Sequence, residues 1–383
     1  MKRIITLLFL CIGLTAAAQN MIKLDNSERY ERFKELRNEN DTLQMKQMLD
    51  GWGAKDAEYY AAWSNYCSVK AETSEDPSWL ELAVNWLKMG LEEYPDDLLL
   101  TLKYPQALFD NEQFQEALPV LLELEEKGLD DSSTWYYLSS IYGMNGEREK
   151  GRHYLDKMVR EGDENDRAYA EEMLEAYDQS DHMIDSLLLV PDHAALKEFA
   201  ETAEFQELVN RFAACDTTLT REEISKVYYG SAYKKNYNIV SSTSDGVQEL
   251  VDEGKVQEAV AALQARLKDY PVSLFLLVSI VNLSEDPAVL DPVVWKAQKL
   301  LAIIDNSGLG TLESPMQVIC VSDEYQILRQ VVEMQELLFQ AVVDDAPLAP
   351  LDRMVFVNPY GLEQTYYFYL TPPYWERLHA LTE

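Results

Sequence analysis

The chain has 383 residues, with 67 acidic side chains against 33 basic ones and a formal net charge of −34. That balance argues against a nucleic-acid partner, because no basic footprint exists to release phosphate counterions, and against docking to an anionic membrane surface. It leaves room for basic or neutral partners and divalent cations, and the length allows two or more domains with substantial cores.

The first residues have the pattern of an export signal. Lys2 and Arg3 form a basic start, Ile4 to Leu14 an apolar stretch, and Ala16-Ala17-Ala18 a small-residue cleavage site before Gln19. Cys11 follows the bulky Leu10 and is itself followed by apolar residues, so a free exported product is expected rather than a lipid-anchored one. No later stretch is apolar enough to span a bilayer. The expected location after cleavage near Ala18 is periplasmic or extracellular. Cys67, Cys215 and Cys320 remain, an odd and widely spaced set that reads as buried thiols rather than a disulfide framework.

Residues 21–180 read as helical throughout. Ser27 is an N-cap for a helix from Glu28 to about Asn38, and Leu43 to Leu49 form a second, ended by Gly51-Trp52-Gly53. A third runs from about Asp56 to Lys70, and Asp76-Pro77-Ser78 opens a fourth with Trp79, Ala83, Trp86, Leu87 and Gly90 on one face. Ala83, Ala117 and Gly151 then recur every 34 residues, each followed four residues later by Leu87, Leu121 or Leu155. Self-similarity at that period marks stacked helical hairpins, and the small residue lets two helix backbones approach.

Trp135, Leu138 and Tyr142 followed by Gly146 to Leu155 resemble a tetratricopeptide repeat, with Ala83, Ala117 and Gly151 at the helix-crossing position. The closing proline is present only as Pro95, and Pro105 inside the first helix of the middle repeat is expected to kink or shorten it. The resemblance implies a surface that holds a peptide or protein segment in a groove lined by first-helix side chains. Tyr66, Tyr104, Trp135 and Tyr136 are the groove candidates, with Trp135 also suited to the stack itself.

After Tyr177 the repeats fade. Ser180 to His193 reads as a short helix and connector, Ala195 to Phe212 as one helix, and Thr220-Arg221-Glu222-Glu223 as a capping box for another through Tyr228. A further hairpin at Gly254 to Ala259, Leu263 and Pro271 is out of step with the first three. From Met316 the apolar period becomes that of strands: Met316 to Val321, Glu324 to Val331 across a Ser322-Asp323 turn, Leu337 to Val343, Leu351 to Val357 and Thr365 to Leu370. An antiparallel meander is the expected outcome, with turns at Asp344-Asp345-Ala346-Pro347 and Asn358-Pro359-Tyr360-Gly361. Glu324 to Phe339 could instead be helical.

Val227 to Gly230 with Tyr233 and Tyr237, Asp305 to Gly310 with Ser314-Pro315, Val321 to Tyr325, and Thr365 to Phe368 together resemble an uncharacterised domain family of exported Bacteroidetes proteins, domain of unknown function 4919. The resemblance covers roughly residues 195–383. It implies an architecture and a cellular setting but no activity.

Candidate chemistry in the second half is sparse. Ser307-Gly308-Leu309-Gly310-Thr311 could present backbone amides to an anion, but it lacks a phosphate-loop lysine and suits a tight turn that needs positive φ. Asp323-Glu324-Tyr325 could supply paired carboxylates, although neighbours on a strand face opposite ways and an acidic hairpin tip fits better. Tyr229 with Tyr366 to Tyr369 could line a cleft or fill a core. His153, His182, His193 and His379 are scattered, and no metal site, cofactor motif or catalytic triad is legible.

The expectation is a mostly α protein with an α+β C-terminal domain. A signal peptide (1–18) precedes tetratricopeptide-like hairpins (22–190), and helices with an antiparallel sheet follow (195–383). Its expected role is non-enzymatic binding of a protein or peptide, basic or neutral, with no cofactor. The alternative is a small-molecule-binding or hydrolytic cleft formed by Tyr229, Ser307, Gly308, Gly310, Asp323, Glu324 and Tyr325.

Overall fold

A computed structural model describes residues 28–382, apart from 75, 236, 238–245, 345–347 and 349. The stretch read as an export signal, Ser27 and most of the Asp344–Pro347 turn lie outside the described residues. Among those residues the chain is mostly helical, with a four-stranded sheet near its C-terminus. It divides into two compact units: one reaches to Gln179 and includes Tyr360–Leu362, and the other comprises the rest from Ser180 onward.

The first unit begins with α1 (Glu28–Asn38) and α2 (Thr42–Asp50). Three hairpins follow: α3 (Ala57–Ser74) with α4 (Ser78–Glu93), α5 (Leu98–Asp110) with α6 (Phe114–Glu126), and α7 (Ser132–Met144) with α8 (Arg148–Glu161). Each helix from α3 to α8 packs on the next, and α3 also packs on α5. Asp41, Asp97 and Asp131 cap α2, α5 and α7 by accepting the backbone N–H three residues on.

The 34-residue register coincides with the packing. Ala83, Ala117, Leu87, Leu121 and Leu155 are all buried. A Cβ added to Gly151 would sit 2.7 Å from the Tyr177 hydroxyl and 3.2 Å from the Ser139 carbonyl, so nothing larger than glycine fits without movement. Pro105 does not shorten its helix: α5 continues past it to Asp110. Tyr177 lies on α9 (Glu164–Leu187), one 24-residue helix where a break and a short helix near Ser180 were expected.

The second unit carries α10 (His193–Phe199), α11 (Ala203–Ala213), α12 (Arg221–Ser231), α13 (Val247–Asp252), α14 (Val256–Leu267), α15 (Leu274–Leu283) and α16 (Pro287–Asp305). The single helix expected over Ala195 to Phe212 is thus two, because Thr202 ends one and caps the next by accepting the Phe205 amide at 3.2 Å. The Thr220–Glu223 capping box is formed, and the α14–α15 hairpin buries Ala259 and Leu263.

The sheet comprises β1 (Met316–Val318), β2 (Glu336–Val343), β3 (Leu351–Val357) and β4 (Glu363–Leu370), in the order β1-β4-β3-β2. β2, β3 and β4 form the expected antiparallel meander, but β1 pairs parallel with β4, so the sheet is mixed. The strand favoured at Glu324 to Val331 is instead α17 (Val321–Gln330). Asp323, Glu324, Ile327 and Leu328 are buried at helical spacing, so two acids complete the buried face of this helix. α18 (Pro372–Thr382) closes the chain.

Candidate functional site

β1 is an edge strand, and side chains rather than another strand close its outer edge. The Gln317 amide donates to Ser307 Oγ at 2.8 Å, and the Gln317 carbonyl accepts from the Tyr229 hydroxyl at 3.0 Å. Two residues on, the Ile319 amide donates to the Tyr228 hydroxyl at 3.3 Å, and the Ile319 carbonyl accepts from Tyr237. A buried edge without such partners loses several hydrogen bonds' worth of desolvation energy. Burial pushes the hydroxyls of Tyr228, Tyr229 and Tyr237 well above their ordinary value, so all three stay protonated and able to donate.

Tyr228 also donates to Asp323 Oδ2 at 2.7 Å, at the start of α17. Burial raises the Asp323 carboxyl to about 7, and the Tyr228 bond only partly offsets that. Beside it, Glu324 is pushed well above the carboxylate range by burial and by Asp352 on β3. Asp352 is raised by burial while its bonds to Gln340 and Glu324 pull the other way. With both carboxyls ionised, both Glu324 oxygens and Asp352 Oδ1 would lack a donor. One proton on Glu324, given to Asp352, satisfies Asp352 Oδ1 and one of the two Glu324 oxygens. Gln340 Nε2 donates to Asp352 Oδ2 at 2.5 Å, and the Tyr325 hydroxyl donates to Gln340 Oε1 at 2.5 Å.

Ser307 to Thr311 is a turn joining α16 to β1. A Cβ on Gly308 would lie 2.1 Å from the Pro315 carbonyl oxygen, and Gly310 has φ +74. Gly308, Gly310 and Ser307 are buried, and Ser307 Oγ is committed to Gln317 N and to the Ile304 carbonyl.

The predicted cleft residues thus meet around β1 as parts of a core. Tyr229, Ser307, Asp323 and Glu324 are each 1 % exposed or less, and Tyr325 is half-buried. Burial this complete closes the Asp323 and Glu324 carboxyls off from solvent. The acidic hairpin tip expected at Asp323 does not form, because the residue lies in the first buried turn of α17. Among the described residues, no three His, Cys, Asp or Glu side chains are grouped so as to hold a metal ion. Cys67, Cys215 and Cys320 are free thiols. Cys320 follows β1 and N-caps α17 rather than lying in the strand.

In the first unit two of the four groove candidates are buried and two are half-buried. Tyr66 is buried against Trp63 and Trp79, at ring distances of 5.7 and 6.0 Å. Trp135 is also buried, donating to Asp130 at 2.5 Å beneath the Lys157 ammonium, 4.8 Å from its ring. Tyr104 and Tyr136 keep partial exposure. A pocket of about 60 Å³ is lined instead by their neighbours in sequence, among them Lys103 and Gln106 of α5 and Thr134 and Tyr137 of α7, together with Tyr30 and Lys34 of α1.

That pocket contains polar groups the sequence did not single out. Lys103 Nζ donates to Asn65 Oδ1 at 3.0 Å, and Asn65 Nδ2 donates to the Tyr30 hydroxyl at 3.2 Å. Burial lowers the Lys103 ammonium to about 7, while Asp110 on the same helix is raised by burial to about 6. The available signal was positional, since Lys103 and Tyr137 are one 34-residue period apart. Asp352 and Gln340 gave no signal, because each sits singly within a strand pattern.

Comparison with known proteins bears on the second unit. Residues 193–374 match the family described as Domain of unknown function (DUF4919). The matched region contains α10 through β4, including every residue that closes the β1 edge. No curated protein matches the chain.

Proposed function

We propose that the protein is an exported, non-enzymatic interaction module that binds a peptide or protein segment through tetratricopeptide-like hairpins in its first unit. The observation that carries this is the pocket between α1, α5 and α7, where side chains one repeat apart share a single space. Gln106 offers a donor and an acceptor at its wall, Leu99, Leu102 and Leu121 offer apolar contact, and Tyr104 and Tyr136 lie next to its lining residues in sequence. The high acidity of the chain favours a basic or neutral segment, held partly by charge.

The test is capture from the envelope fraction of producing cells. Wild-type protein should retain a partner that the double variant Gln106→Ala, Tyr104→Ala does not, and raised salt should weaken retention. Equal capture by both proteins would remove the pocket from the binding surface.

A further inference from the structure

The two edges of the sheet are treated in opposite ways. At β1 four main-chain groups are met by Ser307, Tyr228, Tyr229 and Tyr237. At the other end β2 is outermost, and among the described residues no strand lies beyond it. Its eight residues are as long a run as any in the sheet. Natural edge strands are usually blunted by lysine, proline, shortness or cover, because bare edges recruit further strands. β2 carries neither charge nor proline from Leu337 to Val343, and its one irregularity falls near its start, between Leu337 and Phe339.

Its side chains are also laid open. Leu338 is 44 % exposed, and Phe339 and Val342 are each 50 % exposed. The register sets Phe339 against Val355 and Val342 against Asp352, which point to opposite faces of β3, so an added strand finds apolar contact on both faces.

We propose that the open edge of β2 docks an extended segment of another protein, apolar in the middle and basic at both ends, by strand addition. The charges beside the edge select that occupant over a second copy. Glu336 begins the strand, and Asp344 follows it, exposed. Two copies paired antiparallel about Gln340 would set Glu336 of each against Asp344 of the other, within chains of net charge −34. Like charges facing across strands destabilise the pair, whereas lysine or arginine at both ends of an incoming strand makes each contact attractive. Main-chain bonds supply affinity, and alternate side chains with the end charges supply selection. This edge lies in the second unit and is independent of the role proposed for the hairpins.

The test uses the full chain and two labelled ten-residue peptides, each with six alternating valines and threonines bracketed by two lysines or two glutamates at either end. Fluorescence anisotropy should show saturable binding of the lysine peptide, at least tenfold weaker binding of the glutamate peptide, and weakening with salt. Val342→Lys and Leu338→Lys should each reduce binding of the lysine peptide at least tenfold while leaving the thermal midpoint in place. No binding by wild type, or binding by both variants as strong as that of wild type, overturns the proposal. Sedimentation of wild type as a dimer that Val342→Lys dissociates also overturns it, by giving the edge to a second copy.

Discussion

The Tyr228 hydroxyl gives its proton to Asp323 across 2.7 Å while its oxygen accepts the Ile319 amide at 3.3 Å. One phenol thereby joins α12, the end of β1 and the first turn of α17, with no measurable exposure. Replacing it with phenylalanine keeps the ring and removes both bonds. Tyr228→Phe should cost about 1–3 kcal/mol, the price of leaving a buried amide and acid unmatched. Urea denaturation reads this as a lower midpoint at unchanged slope. An unchanged midpoint would mean that the pair contributes no net stability.

The buried acids set a pH dependence with a definite sign. Asp323 has an ordinary value of 3.8 and is raised to about 7 in the fold, and Glu324 and Asp352 are raised with it. The folded state holds protons that the unfolded chain has lost, so this stabilisation is full below the ordinary value and declines as pH rises through 7. The second unit should melt at a higher temperature at pH 5 than at pH 8. Glu324→Gln retains a donor toward Asp352 without a charge to bury. It should flatten this trend and raise stability at pH 8 by on the order of 1–3 kcal/mol. A steeper trend in the variant would contradict the shared proton.

Lys103 acts in the opposite direction and a different window. Its ammonium falls from 10.5 to about 7 on burial, so between those values the unfolded chain holds the extra proton and stability rises with pH. The same melts, followed through a probe in the first unit, should show a gain from pH 7 to 9. Lys103→Met should abolish that gain; if the gain persists in the variant, it has another source.

Ala117 is wholly buried where α6 crosses its neighbours, at the middle position of the 34-residue register. Ala117→Leu should destabilise the first unit by about 1–3 kcal/mol through overpacking. The same change at exposed Met89 should leave the midpoint within error.

The hairpins were legible because their cause is local and periodic: a small residue and a leucine recur at fixed spacing, and Ala83, Ala117 and Gly151 lie where helices cross. β2, β3 and β4 were legible from alternation. α17 was not, because its buried face is half acidic, and a reader expecting acids outside sees a turn at Asp323. The parallel pairing of β1 was hidden for a different reason, since its partner β4 lies about fifty residues further along the chain. Around the candidate site, the segments that carry the family resemblance do meet, but the sequence could not distinguish a cleft from a core. Burial of Tyr229, Ser307 and Glu324 supplies that distinction. Lys103, which lines the pocket, and its partner Asn65 were missed because a lone lysine or asparagine on a helix ordinarily faces water.

Binding at the face formed by α5 and α7 is tested most directly by photo-crosslinking in producing cells. A photoreactive phenylalanine replaces Gln106 or Tyr136 in separate variants, with exposed Met89 on α4 as the control position. We expect a discrete protein adduct from positions 106 and 136, diminished by salt and absent from position 89. No adduct from either site, or the same adduct from all three, would contradict binding at this face.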